Sequence, residues 1–268
     1  MKFLGLITRC KDEFFIKEFC DYYLSQGVDN IYIIDDNSND KSIYKNITDT
    51  KVTILYKKDL FKNKHQMTAV NNYYLIIKHL FKWMISVDVD EFITTKKNIN
   101  KTIREELETT FKNVDCIKIP WVMMSCNGKK QNPKSILLEN TFRWNHNKKH
   151  PHTIRKFRCR YNKIEVKCIF KTKKYNHIEV HHPITPIGKC IVVNSINKQI
   201  EKITPFYMNL REKDITSGFL LCYHYRIISE ENSKNKLKKA QYLHYTVNDL
   251  MKSDYSEIID ETLKNKIK

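Results

Sequence analysis

The chain has 268 residues, 41% hydrophobic and 12% aromatic, which supports one sizeable core and excludes a wholly disordered polymer. No stretch approaches the roughly 20 apolar residues that a membrane span requires, and the run Met1–Ile7 is too short for a signal peptide, so a cytoplasmic chain without a membrane span is expected. The net charge of +18 admits nucleic acid, an anionic membrane surface or small anionic substrates. It accompanies a Lys, Asn and Ile bias that the AT-rich genome of a microbe or a large DNA virus would produce without selection for binding.

Residues 3–8 read as a first core strand that closes in Thr8-Arg9. From Phe14 the period changes, and Phe15, Phe19, Tyr22 and Tyr23 fall on one helical face that Gly27 ends. Residues 31–34 form a second strand ending in Asp35-Asp36-Asn37, and 52–56 a third. Met67, Val70, Tyr74, Ile77 and Phe81 predict a helix over 65–81. A near-continuous apolar run from Trp83 follows and breaks abruptly into Asp88-Val89-Asp90-Glu91. A helix over about 101–112 and a strand at 114–119 complete the pattern. These strand-like runs, with helices between them, predict an α/β chain built on a mostly parallel, doubly wound sheet.

Beyond Pro120 the pattern loosens. Residues 143–175 are strongly basic, with Trp144, Phe157, Tyr161, Phe170 and Tyr175 interleaved. Short strands are predicted at 164–170 and 177–181, a late strand at 219–225, and a polar helix from Ser229 through about 242. No linker or repeat divides the chain. The expected organisation is one domain over 1–245, with a donor half to 120 and an acceptor half from 121, followed by a helical tail over 246–268. The eight cysteines show no Cys-x-x-Cys pair, which argues against a zinc ribbon and for reduced thiols, those at 10, 116, 168 and 222 filling the core.

With five glycines the chain has neither a phosphate-binding Gly-x-x-x-x-Gly-Lys loop nor a Gly-x-Gly-x-x-Gly turn, which argues against Walker-type hydrolysis and dinucleotide binding. Polar strand ends remain. In open α/β sheets ligands bind at the carboxyl ends of the strands, and carboxylates entering a core are costly unless paired or bound to metal. Asp88 and Asp90, hard oxygen ligands one residue apart, suit Mg²⁺ or Mn²⁺ that also grips a diphosphate; the alternative is a polar strand end that caps the next loop. Thr8, Arg9 and Asp36 close the first two strands and could meet base, ribose and phosphate, or else serve as turn and surface polar groups.

Cys10-Lys11-Asp12-Glu13, the aromatic helix, Gly27 to Asp40, Gln66, Trp83 and Asp88-Val89-Asp90-Glu91-Phe92 occur in an order that resembles GT-A glycosyltransferases of the family-2-like and family-92-like group. Val180-His181-His182-Pro183 and His224-Tyr225, with Ser229-Glu230-Glu231 and a Lys-rich helix behind, are similar too; the resemblance spans about residues 3–240. Asp12 stands where the group has Asn, and Asp35-Asp36 where a single Asp is typical. The resemblance implies a GT-A fold, Rossmann-like with a mixed acceptor-side extension, and transfer of a sugar from a UDP- or GDP-type donor to a hydroxyl on a carbohydrate acceptor. It implies that Thr8, Arg9 and Asp36 line the nucleoside pocket, and that Asp88 and Asp90 hold Mn²⁺ or Mg²⁺ and the diphosphate. Among late histidines that could complete the metal shell, His224 ranks first and His181 second. Lys64, Arg155, Lys167 and Arg226 could contact diphosphate, and Glu139, Asp214 and Glu212 are acceptor-half acids that could act as base. Stereochemistry and oligomeric state stay open. A nucleic-acid-binding protein, on the strength of the basic run, is the alternative, and a metal nuclease using Asp88, Asp90 and Glu91 ranks below it.

Overall fold

In the computed structural model the described residues are 1–57, 66–151, 162–238 and 244–267. β1 (Lys2–Cys10) leads through α1 (Ile16–Ser25) to β2 (Asn30–Asp36) and on to β3 (Val52–Lys57). α2 (Gln66–Ile77) feeds β4 (Phe81–Ser86); a tight turn then opens β5 (Glu91–Thr95), α3 (Ile103–Glu108) and β6 (Cys116–Ser125). α4 (Ile136–Glu139) and β7 (Phe142–Arg143) precede β8 (Lys163–Lys171), β9 (Tyr175–Ile178), β10 (Pro183–Pro186), β11 (Val192–Asn194), β12 (Gln199–Ile200) and β13 (Phe206–Met208). α5 (Glu212–Ser217), β14 (Leu220–His224), α6 (Glu230–Lys236), α7 (Val247–Met251), β15 (Ile258–Ile259) and α8 (Thr262–Lys266) finish the chain.

The central sheet runs β12-β11-β6-β8-β4-β1-β2-β3. β3, β2, β1 and β4 are mutually parallel, as βαβ connections require, and β8 lies antiparallel between β4 and β6. β14 pairs parallel with β6 and antiparallel with β5, which adds the mixed extension. Because strand side chains alternate, Leu4 and Leu6 join the core under α1 and α3 while Ile7 joins the one under α2. The sheet is covered on both faces, as the apolar strand runs predict.

Two glycines are dictated by contact. Gly27 ends α1 at φ +88°, and a Cβ there would lie 2.6 Å from Arg104 Cβ. A Cβ on Gly5 would stand 2.8 Å from the Phe81 ring.

Several boundaries differ from the sequence expectation. The helix expected over 65–81 ends at Ile77, and Phe81, which matches the helical spacing, instead begins β4 and packs over Gly5. The helix expected over 101–112 is confined to α3, where the Thr102–Glu105 capping box fixes its start. β6 is longer than expected and runs through Pro120, buried along its whole length, so residue 120 lies inside one strand that both halves share. The polar helix from Ser229 stops at Lys236. The C-terminal tail is not purely helical: β15 pairs with β7, and Asp260 behind it is bound by Arg143 Nε and Tyr223 Oη at 2.8 and 2.9 Å. A buried cation on β7 recruits the tail, and a helical-period reading contains no sign of that. The described cysteines are free, and all but Cys190 are buried.

Candidate active site at the strand ends

Parallel register brings Thr8 and Arg9 of β1 beside Ile33 and Ile34 of β2, and Ile7 beside Ser86 of β4. The carboxyl ends of these three strands therefore share one edge. Arg9 Nη1 donates to Asp36 Oδ2 at 2.7 Å, while the buried Asp36 Oδ1 has no partner among the described residues. Asp35 is occupied otherwise: its carboxylate accepts from Tyr44 Oη at 2.6 Å and from the Ser38 N–H at 3.3 Å. Of the two adjacent acids, Asp36 is the one left with an open acceptor. Asp12 takes positive φ and accepts from the Asn39 N–H at 2.6 Å and Asn39 Nδ2 at 2.8 Å. It thereby pins the β1 and β2 exits to each other, a geometry that Asp adopts more readily than most residues. Thr8 is buried and donates weakly to the Arg9 carbonyl at 3.5 Å.

The Asp88–Glu91 segment is a turn closed from both sides. The Asp88 N–H donates to Glu91 Oε2 at 2.7 Å, and the Glu91 N–H returns to the Asp88 carbonyl at 3.1 Å. Phe92 locks that turn to α1. Its ring lies among Phe19, Tyr22, Tyr23 and Tyr225 at centroid distances of 5.4–6.2 Å, and Tyr23 Oη donates to the Glu91 carbonyl at 2.9 Å. The aromatic stripe of the first helix thus positions the acidic turn.

Each acid of the turn meets a cation. Lys167, on β8 and only 2% exposed, reaches Asp88 Oδ2 at 2.9 Å and Glu91 Oε2 at 3.1 Å, and donates to the Val180 carbonyl at 2.8 Å. Burial alone would push the Lys167 ammonium down; Asp88, then Glu91, outweigh it and hold it well above its ordinary value. Burial opposes ionisation of Asp88 as well, and Lys167 reverses the balance, leaving this carboxyl below the usual range. Glu91 differs: burial, reinforced by Asp88 and Asp90, pushes it well above the carboxylate range despite Lys167. Lys236, at the end of α6, donates to Asp90 Oδ2 at 2.8 Å and to the Arg226 carbonyl at 2.7 Å. Burial raises the Asp90 carboxyl, but Lys236 and then His224 overcome it and bring it well below its usual value.

His224 ends β14, in register with Glu91 and Met123, and its Nε2 stands 3.6 Å from Asp90 Oδ1. Burial pushes this imidazole below its ordinary value against the pull of Asp90, and its Nδ1 is buried without a partner among the described residues. A separation of 3.6 Å is long for a hydrogen bond and wider than the roughly 3.0 Å between two adjacent ligands of an octahedral ion, so the pair would close by about half an ångström around a shared cation. Among the described residues no group of three or more His, Cys, Asp or Glu could hold a metal. The residues present therefore fit a divalent cation only where other oxygens, from a diphosphate or water, complete the shell.

His181 lies elsewhere around the same indole. Its ring meets Trp121 edge-on at 5.6 Å, whereas His224 lies 4.1 Å from Trp121. His181 Nδ1 is 3.2 Å from the Val166 carbonyl and its Nε2 3.6 Å from Glu165 Oε1. Burial pushes it down to about 4.

The acids expected as bases are drawn into local structure. Glu139 accepts from the Lys134 and Ser135 N–H groups at 2.8 and 3.2 Å, Asp214 caps α5 through the Arg211 N–H at 2.9 Å, and Glu212 forms a two-pronged pair with Arg143 at 2.9 and 2.8 Å. None of the three touches the Asp88–Asp90 group among the described contacts. Lys64 and Arg155 lie outside the described residues. Lys236 and Trp121 went unnoticed in the sequence. Lys236 hides in a Lys-rich polar helix with no apolar period to mark a buried face, and Trp121 reads as one more core aromatic behind Pro120.

Acids and a histidine thus gather at the carboxyl-end edge of an open, mostly parallel α/β sheet. Residues 12–261 match the model of glycosyltransferase family 92, which covers nearly the whole chain. The chain belongs to glycosyltransferase family 92, on a GT-A-type fold. No match is found among curated proteins. Among solved structures the chain is similar, at 8% identity and a TM-score of 0.34, to 4-diphosphocytidyl-2C-methyl-D-erythritol synthase from Anaerococcus prevotii, over 64% of this chain and 72% of that one. It is also similar, at 10% identity and a TM-score of 0.35, to HddC from Yersinia pseudotuberculosis, over 81% of this chain and 98% of that one. Likeness at that level carries no weight beside the sheet topology and the family match.

Proposed function

We propose that this chain is a metal-dependent glycosyltransferase that moves a sugar from a nucleoside-diphosphate donor, of UDP or GDP type, to a hydroxyl on a glycan or protein-linked glycan. The observation that carries the reading is the pairing of Asp90 Oδ1 with His224 Nε2 at 3.6 Å, beside Asp88 and on the strand-end edge that also holds Asp36. Asp90 and His224 would hold Mn²⁺ or Mg²⁺, and Asp36 Oδ1, lacking a partner among the described residues, would accept from the nucleoside. A bound divalent cation would supply charge neutralisation for the leaving diphosphate. Lys167 keeps Asp88 ionised and aimed, and Arg9 fixes the Asp36 carboxylate.

The basic run does not favour the nucleic-acid alternative. Arg143 is buried against Asp260 and Glu212, Lys167 lies under Asp88, and Lys171 and Lys174 pair with Asp115. Trp144, Phe170 and Tyr175 are core residues. Those four cations and three rings are engaged within the fold; Arg155, Lys156, Phe157, Arg158, Arg160 and Tyr161 lie outside the described residues.

The test is thermal unfolding with UDP or GDP, each with and without Mn²⁺. Wild type should melt several degrees higher with one nucleotide plus Mn²⁺, and Asp90→Ala should abolish the shift. No shift with any nucleoside diphosphate and metal would sink the proposal. A panel of nucleotide sugars scored for donor hydrolysis then identifies the sugar.

A further inference from the structure

The two acids of the turn are met by two buried ammonium groups, Lys167 on Asp88 Oδ2 at 2.9 Å and Lys236 on Asp90 Oδ2 at 2.8 Å. The charge of the acidic pair is thus already balanced by two lysines, with the Lys236–Asp90 pair largely shielded from water. A lone divalent cation entering between Asp90 Oδ1 and His224 would leave the site strongly positive; a lone diphosphate would leave it strongly negative. The two together nearly cancel, and around Lys236 and Asp90, whose side chains are 6% and 17% exposed, an imbalance is screened less than at the surface, although Asp88 itself is 47% exposed.

Lys236 is the residue placed to enforce that rule. It is 5% exposed, and it binds the carboxylate oxygen that faces away from His224. Its ammonium is also fixed by the Arg226 carbonyl at 2.7 Å. The helix that carries it is tied to the loop after β6. Ser229 Oγ donates to Asn132 Oδ1 at 2.6 Å, the Asn132 N–H donates to Glu231 Oε2 at 2.9 Å, and Lys130 pairs with Glu230 at 2.8 Å. Lys236 is therefore a held charge, not a solvated side chain that can swing away at no cost.

We propose that Lys236 is a positioning residue that makes metal and donor binding mutually dependent: it orients Asp90 toward His224 and, by its charge, prevents a divalent cation from binding without a nucleoside diphosphate. This rests on the function proposed above and assigns to that site a residue that touches neither the sugar nor the reacting atoms. The coupling is reciprocal, so Mn²⁺ raises nucleotide affinity by the factor by which nucleotide raises Mn²⁺ affinity.

The experiment is a Mn²⁺ titration of the full chain, reading free Mn²⁺ by electron paramagnetic resonance, without and with saturating UDP or GDP. In wild type the nucleotide should tighten Mn²⁺ at least 100-fold. In Lys236→Met, Mn²⁺ alone should bind at least tenfold more tightly than to wild type, and the coupling factor should shrink at least tenfold. Lys236→Arg, which keeps the charge, should behave as wild type. A merely structural lysine would not strengthen metal binding when removed. Equal Mn²⁺ affinity with and without nucleotide in wild type overturns the inference, as does a folded Lys236→Met with unchanged affinity for Mn²⁺ alone. Lys236→Gln serves as a second neutral variant should Lys236→Met not fold. If Mn²⁺ binds neither alone nor with any nucleotide, in wild type or variant, the proposed function itself fails; if Mn²⁺ and nucleotide bind together but Lys236 does not alter their coupling, only this inference falls.

Discussion

Lys167 and Glu91 form the most charge-sensitive contact of the acidic turn, because both are buried and Asp88 depends on the same ammonium. Lys167→Met should cost about 1–3 kcal/mol in urea unfolding, because the buried Glu91 carboxyl loses its donor while the half-exposed Asp88 can turn to water. Adding Glu91→Gln should recover little of that loss, since burial already holds Glu91 in the neutral form that Gln imitates; recovery of most of it in the double variant would show that Glu91 is ionised beside Lys167. At the other end of the site, Asp36→Asn keeps the shape but breaks the ion pair with Arg9 at 2.7 Å. Nucleoside-diphosphate affinity measured by calorimetry should fall roughly tenfold, about the 1.4 kcal/mol of a charge-assisted hydrogen bond. Of these residues, Asp36, Asp88, Asp90 and His224 are legible in the sequence, because acids and a histidine that end apolar strands are conspicuous. Lys236 is not, since a buried lysine in a polar helix has the composition of an exposed one.

Elements transmit position to the site through packing. α1 presents Phe19, Tyr22 and Tyr23 to Phe92, and Tyr22 and Tyr23 donate to the carbonyls of Ile93 and Glu91 at 2.8 and 2.9 Å. Phe92→Ala should lower stability by about 3–5 kcal/mol through the lost contacts and the cavity left behind. Because the Asp88–Glu91 turn hangs on that ring, donor KM should rise in Phe92→Leu even where the fold survives. An unchanged KM in a folded Phe92→Leu variant would show that the turn is held by its own hydrogen bonds alone. The aromatic period of α1 is plain in the sequence; its partner is not, since nothing local says which of the later aromatics the stripe will meet.

At the scale of the whole molecule, β7 and the C-terminal segment close around buried polar groups. Asp260 receives Arg143, Lys96, Tyr223 and the Thr262 N–H, and Asp260→Ala should cost about 3–5 kcal/mol by leaving Arg143 partly unpaired. Nearby, His146 accepts the Met123 N–H through Nε2 at 3.3 Å, and burial pushes its imidazole down to about 3. The unfolded value is near ~6.5, so on acidification the unfolded chain takes up this proton first. The stability that neutral His146 contributes is fully present above the unfolded value and is lost as pH falls from there toward the folded one. Between pH 7 and 5 the urea midpoint should drop by the equivalent of roughly 1–2 kcal/mol from this group, and His146→Gln should remove that part of the slope.

The sequence by itself determined the α/β class, the first four strands along the chain and the acids that follow the second and fourth. Strand burial, helix period and the polarity of strand termini are local properties that a window of residues carries. Tertiary structure alone decided the rest. It paired each acid of Asp88-Val89-Asp90 with a lysine from a distant element, left Glu139, Asp214 and Glu212 in local caps and ion pairs, and drew the C-terminal segment against β7. Charge pairing across 79 and 146 positions of chain has no local signature. Whether a lysine is solvated or buried beneath a carboxylate depends on which strand end folds over it.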